Sequence, residues 1–179
     1  LISGPHAANA ARDEIVLAIP TMAAPGDVLV RVPGTDGAAL SNSFPFDPAR
    51  EPCPPVQLYG TAKTNSNGVA AELFAQGRAI VGIDDLVIGT DGGIPGANGI
   101  LFSGGTATAS PFFGGTLLVQ RPLRRERMFT FDFLGGVVFT MPVTPQLLGT
   151  TRHYQIWFQD AGDPLGVGLT NAVRVTYCP

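Results

Sequence analysis

Glycine pairs and Asn-Gly or Asp-Gly steps cut this chain so often that little room is left for a helix of several turns. Asn67-Gly68, Asp91-Gly92-Gly93, Asn98-Gly99, Gly104-Gly105, Gly114-Gly115 and Gly135-Gly136 recur at the spacing of turns between short strands. The 23 glycines and 16 prolines among 179 residues, with 14% charged side chains, belong to the same pattern. No long run carries a 3.6-residue apolar period. The expected class is therefore all-β, and 45% apolar residues supply a core for one large domain or two small ones.

The clearest single element is His153-Tyr154-Gln155-Ile156-Trp157-Phe158-Gln159-Asp160, which holds the only tryptophan. Successive side chains of a strand point to opposite faces, so Tyr154, Ile156 and Phe158 share one face and His153, Gln155, Trp157 and Gln159 the other. Turn-forming clusters bound it at Gly149-Thr150-Thr151 and at Asp160-Ala161-Gly162-Asp163-Pro164. A second strand, Ala172 to Tyr177, follows it, and the two are expected to form a hairpin closing the domain. Tyr154, Ile156, Trp157 and Phe158 are the expected core anchors, with Trp157 at least partly buried between sheets, as a central-strand tryptophan in a sandwich usually is.

A formal net charge of -3 gives no global attraction to nucleic acid or to anionic lipid. No apolar run approaches the roughly 20 residues that span a bilayer, so no membrane insertion is expected. The mean hydropathy of +0.23 is high for a chain this short of charge. Surface hidden against neighbouring copies explains it, and so do scattered glycine, alanine and valine. The chain begins at Leu1 without methionine or a charged-then-apolar leader, which reads as a processed form or a piece of a longer protein.

Three strands are expected early, over Glu14–Ile19, Asp27–Val32 and Ser43–Phe46, with a hairpin turn at Gly34-Thr35-Asp36-Gly37. Residues 13–47 resemble the C-terminal half of an IPT/TIG immunoglobulin-like domain. The resemblance is carried by Ile19-Pro20, Pro25-Gly26-Asp27-Val28 and Asn42-Ser43-Phe44, and departs at Leu29 and at Phe46, where the family closes with tyrosine. It implies an Ig-like half-domain over 1–48 whose first strands come from elsewhere, since three short strands cannot bury one face alone. Another copy of the chain supplying a strand would make a head-to-tail filament; upstream strands, or packing onto the second domain, would serve as well.

Prolines 52, 54 and 55 make 49–55 a stiff linker containing Cys53. Residues 56–179 then read as an antiparallel β-sandwich, jelly-roll or Ig-like. Its strands are expected over Val56–Tyr59, Val69–Phe74, Ala79–Ile88, Ile100–Ser103, Thr116–Gln120, Met128–Phe133 and Val137–Met141, before the closing pair. The run from Leu58-Tyr59-Gly60 through Pro111-Phe112-Phe113-Gly114-Gly115 and Tyr154–Asp160 to Leu169–Thr176 is similar to an uncharacterised C-terminal module of large secreted proteins of planctomycetes and related bacteria. That resemblance implies a secreted, cell-surface setting and a non-catalytic presentation or assembly role. In such a setting Cys53 and Cys178 are expected to pair, stapling the start of the second domain to its end; two separate buried thiols are the alternative.

Chemistry-bearing motifs are sparse. His6 and His153 lie far apart, and neither a nucleophile elbow nor a zinc motif occurs, so no catalytic residue is assigned. His153 reads as an ordinary strand residue. Asp84, Asp85 and Asp91 are the carboxylates that would suit a calcium loop, but their pattern does not repeat, and no cofactor is assigned. Arg121, Arg124, Arg125 and Arg127 form the sharpest charge feature, read either as a solvated interstrand loop or as a patch for an anionic cell-envelope glycan or phosphate. The expectation is a structural module that assembles with copies of itself. The alternatives are a carbohydrate- or envelope-binding module and a hydrolase, and the last would need a cleft with perturbed carboxylates.

Overall fold

The computed structural model describes residues 53–81 and 85–178 and, before them, the strand segments 6–8, 15–17, 26–28, 31–34, 37–40 and 44–46. The chain divides into two compact units, Leu1–Pro52 and Cys53–Pro179. All of its regular structure among the described residues is strand, apart from one 3-10 turn at Pro145–Leu147.

In the first unit β1 (His6–Ala8) pairs with β2 (Ile15–Leu17), β3 (Gly26–Val28) with β6 (Phe44–Phe46), and β4 (Arg31–Gly34) with β5 (Gly37–Leu40), all antiparallel. The single strand read over Asp27–Val32 is therefore two. Gly34 stands opposite Gly37, the register of a two-residue turn; Thr35 and Asp36, its turn residues, lie outside the described residues. β1 was not expected because His6-Ala7-Ala8 has neither alternation nor β-branched side chains.

The second unit is built from β7 (Gln57–Tyr59), β8 (Glu72–Gln76), β9 (Val87–Asp91), β10 (Asn98–Gly104), β11 (Ala107–Phe112), β12 (Gly115–Val119), β13 (Arg124–Thr130), β14 (Val137–Thr140), β15 (Thr151–Gln159) and β16 (Val167–Thr176). A five-stranded sheet runs β13-β10-β15-β16-β7, a three-stranded sheet runs β14-β9-β8, and β11 and β12 form a ribbon. Every neighbour in these sheets is antiparallel. The expected hairpin exists as β15–β16, but it forms the middle of its sheet and does not close an edge.

The five-stranded sheet is covered on both faces. Leu101, Tyr154, Ile156, Phe158, Val173 and Val175 share the main core with Leu73 and Ile88 of the three-stranded sheet. On the opposite face Phe102 packs with Leu117 and Val119 of the ribbon, flanked by Ile100, Phe112 and Trp157. Trp157 thus lies half-buried in the smaller cluster, apart from the core that holds Tyr154, Ile156 and Phe158. A strand covered on both sides needs apolar residues at nearly every position, and β16 is buried over Val167–Val173. Burial on both faces gives the apolar residues of the central strands of this unit a place inside it.

Two further expectations are corrected. Among the described residues, the strand read over Ala79–Ile88 is a bridge of Ile80 to Cys178 and then β9 from Val87; 82–84 lie outside them. The Asp85 carboxylate takes the Arg78 backbone N–H at 2.8 Å and its guanidinium at 2.9 and 3.0 Å. β11 was missed because it contains Pro111, which a two-stranded ribbon tolerates at its open edge. Cys53 and Cys178 are joined in a disulfide with their Cα atoms 5.7 Å apart.

Candidate functional site

The arginine-rich segment is mostly strand, correcting its reading as an interstrand loop. After a cis Arg121–Pro122 bond, β13 starts at Arg124 and pairs with β10, placing Arg124 opposite Ser103, Arg125 opposite Phe102 and Arg127 opposite Leu101. The register shifts between Leu101 and Phe102, which leaves Glu126 as the extra residue of a bulge. A charge-rich run shows no apolar alternation, but β13 is a sheet edge, where long charged side chains and a bulge keep other strands from pairing.

That register also divides the four arginines. Arg124 and Arg127 lie on the main-core face, opposite Ser103 and Leu101; Arg125 lies on the ribbon face, with its Nη1 3.8 Å from the Met128 sulfur. Arg121 and Arg124 are instead joined by Arg152 of β15 around one open depression of about 420 Å3, lined also by Ser103, Gly104, Gly105, Thr106 and Gln120. Arg152 was not identified from the sequence, because it stands 25 residues or more from the others and meets them only through the β10–β15 pairing. Gly104 forms the floor: a Cβ there would sit 2.7 Å from the Gln120 carbonyl oxygen. The close passage of the chain leaving β12 is fixed by the Gln120 N–H donating to the Thr106 carbonyl at 2.9 Å.

One carboxylate accompanies these cations. Glu126 accepts a 2.5 Å bond from the Ser103 hydroxyl, and its Oε1 lies 3.5 Å from Arg124 Nε. The other ion pairs among the described residues are Lys63–Asp163 and Arg78–Asp85, so Arg121 and Arg152 have no acidic partner among them.

A second depression of about 410 Å3 is lined by Gln57, Leu58, Tyr59, Ala107, His153 and Arg174. The Tyr59 hydroxyl donates to the Leu118 carbonyl at 3.0 Å and meets His153 Nδ1 at 2.9 Å. Burial pushes Tyr59 up to about 12, and burial followed by the Arg174 charge holds His153 below its ordinary range. Both are neutral near pH 7, and they serve as a bridge between β7, β12 and β15. No nucleophile stands with them.

The remaining buried polar groups are committed within the fold. Gln155 accepts the Leu118 N–H at 2.9 Å and donates to the Thr116 and Thr170 carbonyls at 2.9 and 2.8 Å. Asp160 accepts the Ser66 N–H at 2.8 Å and its hydroxyl at 2.5 Å. The Lys63 ammonium donates to Asp163 at 2.7 Å and to the Phe113 and Val167 carbonyls at 2.9 and 2.7 Å. That hydrogen bond holds the Asp163 carboxyl below the usual range. Among the described residues no buried side-chain polar atom lacks a partner, and no group of three or more His, Cys, Asp or Glu is gathered for a metal. Of the carboxylates considered for calcium, Asp85 is bound to Arg78, Asp91 ends β9 opposite Glu72, and Asp84 lies outside the described residues.

The exposed apolar residues gather meaning at one place. Phe133 and Leu134, 84% and 74% exposed, sit on the turn into β14, and Val138 of that strand is 62% exposed. Asp132 Oδ1 fixes the turn by accepting the N–H groups of Leu134 and Gly136 at 2.9 and 2.8 Å, and Gly135 N–H donates to the Asp132 carbonyl at 3.1 Å. Gly135 has φ 78° and packs so tightly that a Cβ would meet the Gly93 carbonyl. β14 is an edge strand, Val-Val-Phe-Thr, with neither charge nor bulge. No protein-family model, curated protein or solved structure matches this chain.

Proposed function

We propose that this chain is a non-catalytic extracellular structural module that assembles with copies of itself, in a filament or surface layer. The observation that carries the reading is the β14 edge beside the Phe133-Leu134 tip. Its partner on one side is β9, while among the described residues its other side has none. An uncharged apolar edge is what a folded protein normally blunts, as β13 does with its arginines and bulge. A second copy fits it: antiparallel self-pairing of Val137–Thr140 brings no like charges together and meets the same apolar tip from the other side. The disulfide suits an oxidising compartment, which supports the secreted setting. Among the described residues every buried side-chain polar atom has a hydrogen-bond partner within the fold, which supports a structural role.

Sedimentation velocity and negative-stain microscopy test this over a concentration series. The intact protein should self-associate, and Val138→Lys should abolish association while leaving thermal stability nearly unchanged. Deleting residues 1–48 separates this joint from strand exchange through the first unit: association that survives deletion and fails with Val138→Lys assigns the β14 edge. A protein that stays monomeric at millimolar concentration overturns the assembly reading.

A further inference from the structure

The depression at the end of β10 has the composition of a receptor for one charged group. Arg124 on β13 and Arg152 on β15 straddle β10, and both lie on the face that carries Ser103 and Tyr154. Arg121 approaches from the turn before β13 and lines the same depression. Three guanidiniums face one carboxylate there, and Glu126 reaches Arg124 only at Nε, 3.5 Å away. Gly104 and Gly105 line the depression with bare backbone, and a Cβ on Gly105 would meet nothing within 4 Å; Pro122 and Leu123 complete the wall.

We propose that this depression binds an oxyanion group, a carboxylate or a sulfate, borne by an acidic sugar. Planar guanidinium forks match such groups with paired, charge-assisted hydrogen bonds, and Arg121 and Arg152 have no acidic partner among the described residues that would have to be displaced. The volume of about 420 Å3 falls at the lower end of small-molecule sites, room for one sugar unit with its charged substituent. The open mouth leaves space outside for the rest of a polymer. Arg125 and Arg127, on opposite faces of β13, do not line this depression. Because the site lies on β10, β13 and β15, the inference does not depend on assembly through β14.

Calorimetric titration of the full chain at low ionic strength provides the test, with sodium sulfate, galacturonate, polygalacturonate and dextran sulfate as probes. Arg121→Gln and Arg152→Gln should each weaken binding about ten-fold, the loss expected for one charge-assisted contact. Arg125→Gln and Arg127→Gln, which remove the same charge from the same segment, should leave it within about two-fold. Arg152→Lys guards against misfolding, since it keeps the charge and the stem and should recover only part of the affinity. Tighter binding of polygalacturonate than of dextran sulfate assigns a uronate, and the reverse order a sulfated sugar. Equal losses in all four glutamine variants would reduce the site to diffuse charge and overturn the proposal, as would sulfate binding as tightly as either polymer, or wild type binding none of the probes.

Discussion

The two faces of the five-stranded sheet are held by different means, although β15 serves both. On one face Tyr154, Ile156 and Phe158 join a broad apolar core whose polar contacts include the 2.6 Å contact between the Tyr154 and Tyr177 hydroxyls, both raised in pKa by burial, and the Leu73 N–H donating to Asn171 Oδ1 at 2.6 Å. On the other face the buried apolar residues include Phe102, Leu117, Val119 and Leu169, and the ribbon is also held by the Gln155 bonds and the Tyr59–His153 bridge. Area stabilises the first contact without direction; hydrogen bonds add less net energy to the second but fix where β12 lies. A short ribbon can thus be placed accurately on a sheet without a large core beneath it.

The disulfide supports the broad face, since the Cys178 N–H also donates to the Ala79 carbonyl at 2.8 Å beside that core. Its loss should have the largest effect. With its ends 125 positions apart in sequence, replacing both cysteines with serine should cost about 4–5 kcal/mol in the chain-entropy model, measurable as a shift of the denaturant midpoint. Next come truncations of adjacent residues on opposite faces. Ile156→Ala, in the broad core, should cost about 2–5 kcal/mol. Trp157→Ala, half-buried at the margin of the ribbon cluster, should cost only about 1–2 kcal/mol despite removing more atoms. A larger loss at Trp157 than at Ile156 in urea titrations would erase the contrast between the faces.

The smallest effect is one of pH and belongs to the ribbon face. Burial and Arg174 depress the folded pKa of His153 below 6.5, so the unfolded chain takes up this proton first as acid is added. Its contribution to stability is complete above pH 6.5, declines as pH falls toward the folded pKa, and is gone below it. The midpoint of unfolding should fall through this window in the wild type and stay flatter in His153→Gln. Asp85 and Asp163, whose carboxyls are depressed, should lower stability only as pH falls below about their ordinary 3.8. A slope that persists unchanged in His153→Gln would show that the Tyr59–His153 bridge does not couple protonation to folding.

How much of this was legible depends on where each residue's partners lie. β15 could be read almost to its ends because alternation is local: Tyr154, Ile156 and Phe158 announce one face without reference to any other strand. The second face of the same strand was harder, since His153, Gln155 and Gln159 alternate with Trp157 and give that face no single character until the ribbon bonds them. Pro111 concealed β11, and the arginines concealed β13, because an edge strand is relieved of the apolar pattern by which strands are recognised. Arg152 carried no signal at all; its place beside Arg121 and Arg124 is created by register across β10. The disulfide was readable from the even count and flanking positions of the two cysteines together with the inferred secreted setting, whereas the Asp85–Arg78 contact carried no such signal.

The order of the sheet, β13-β10-β15-β16-β7, places the last strands of the unit at its centre. During synthesis β7 has no partner until β16 exists, and β10 has one open side until β15 arrives. The nascent chain therefore carries unfinished edges through most of the unit, and cannot assemble its hydrophobic middle strand by strand as a meander can. Completion comes as one late event, the docking of a hairpin between two waiting flanks, followed closely by the cysteine that locks it. A chain ordered in this way is exposed to its chaperones for longer than its size suggests, and a truncation near Val167 would leave two strands with nothing to join them.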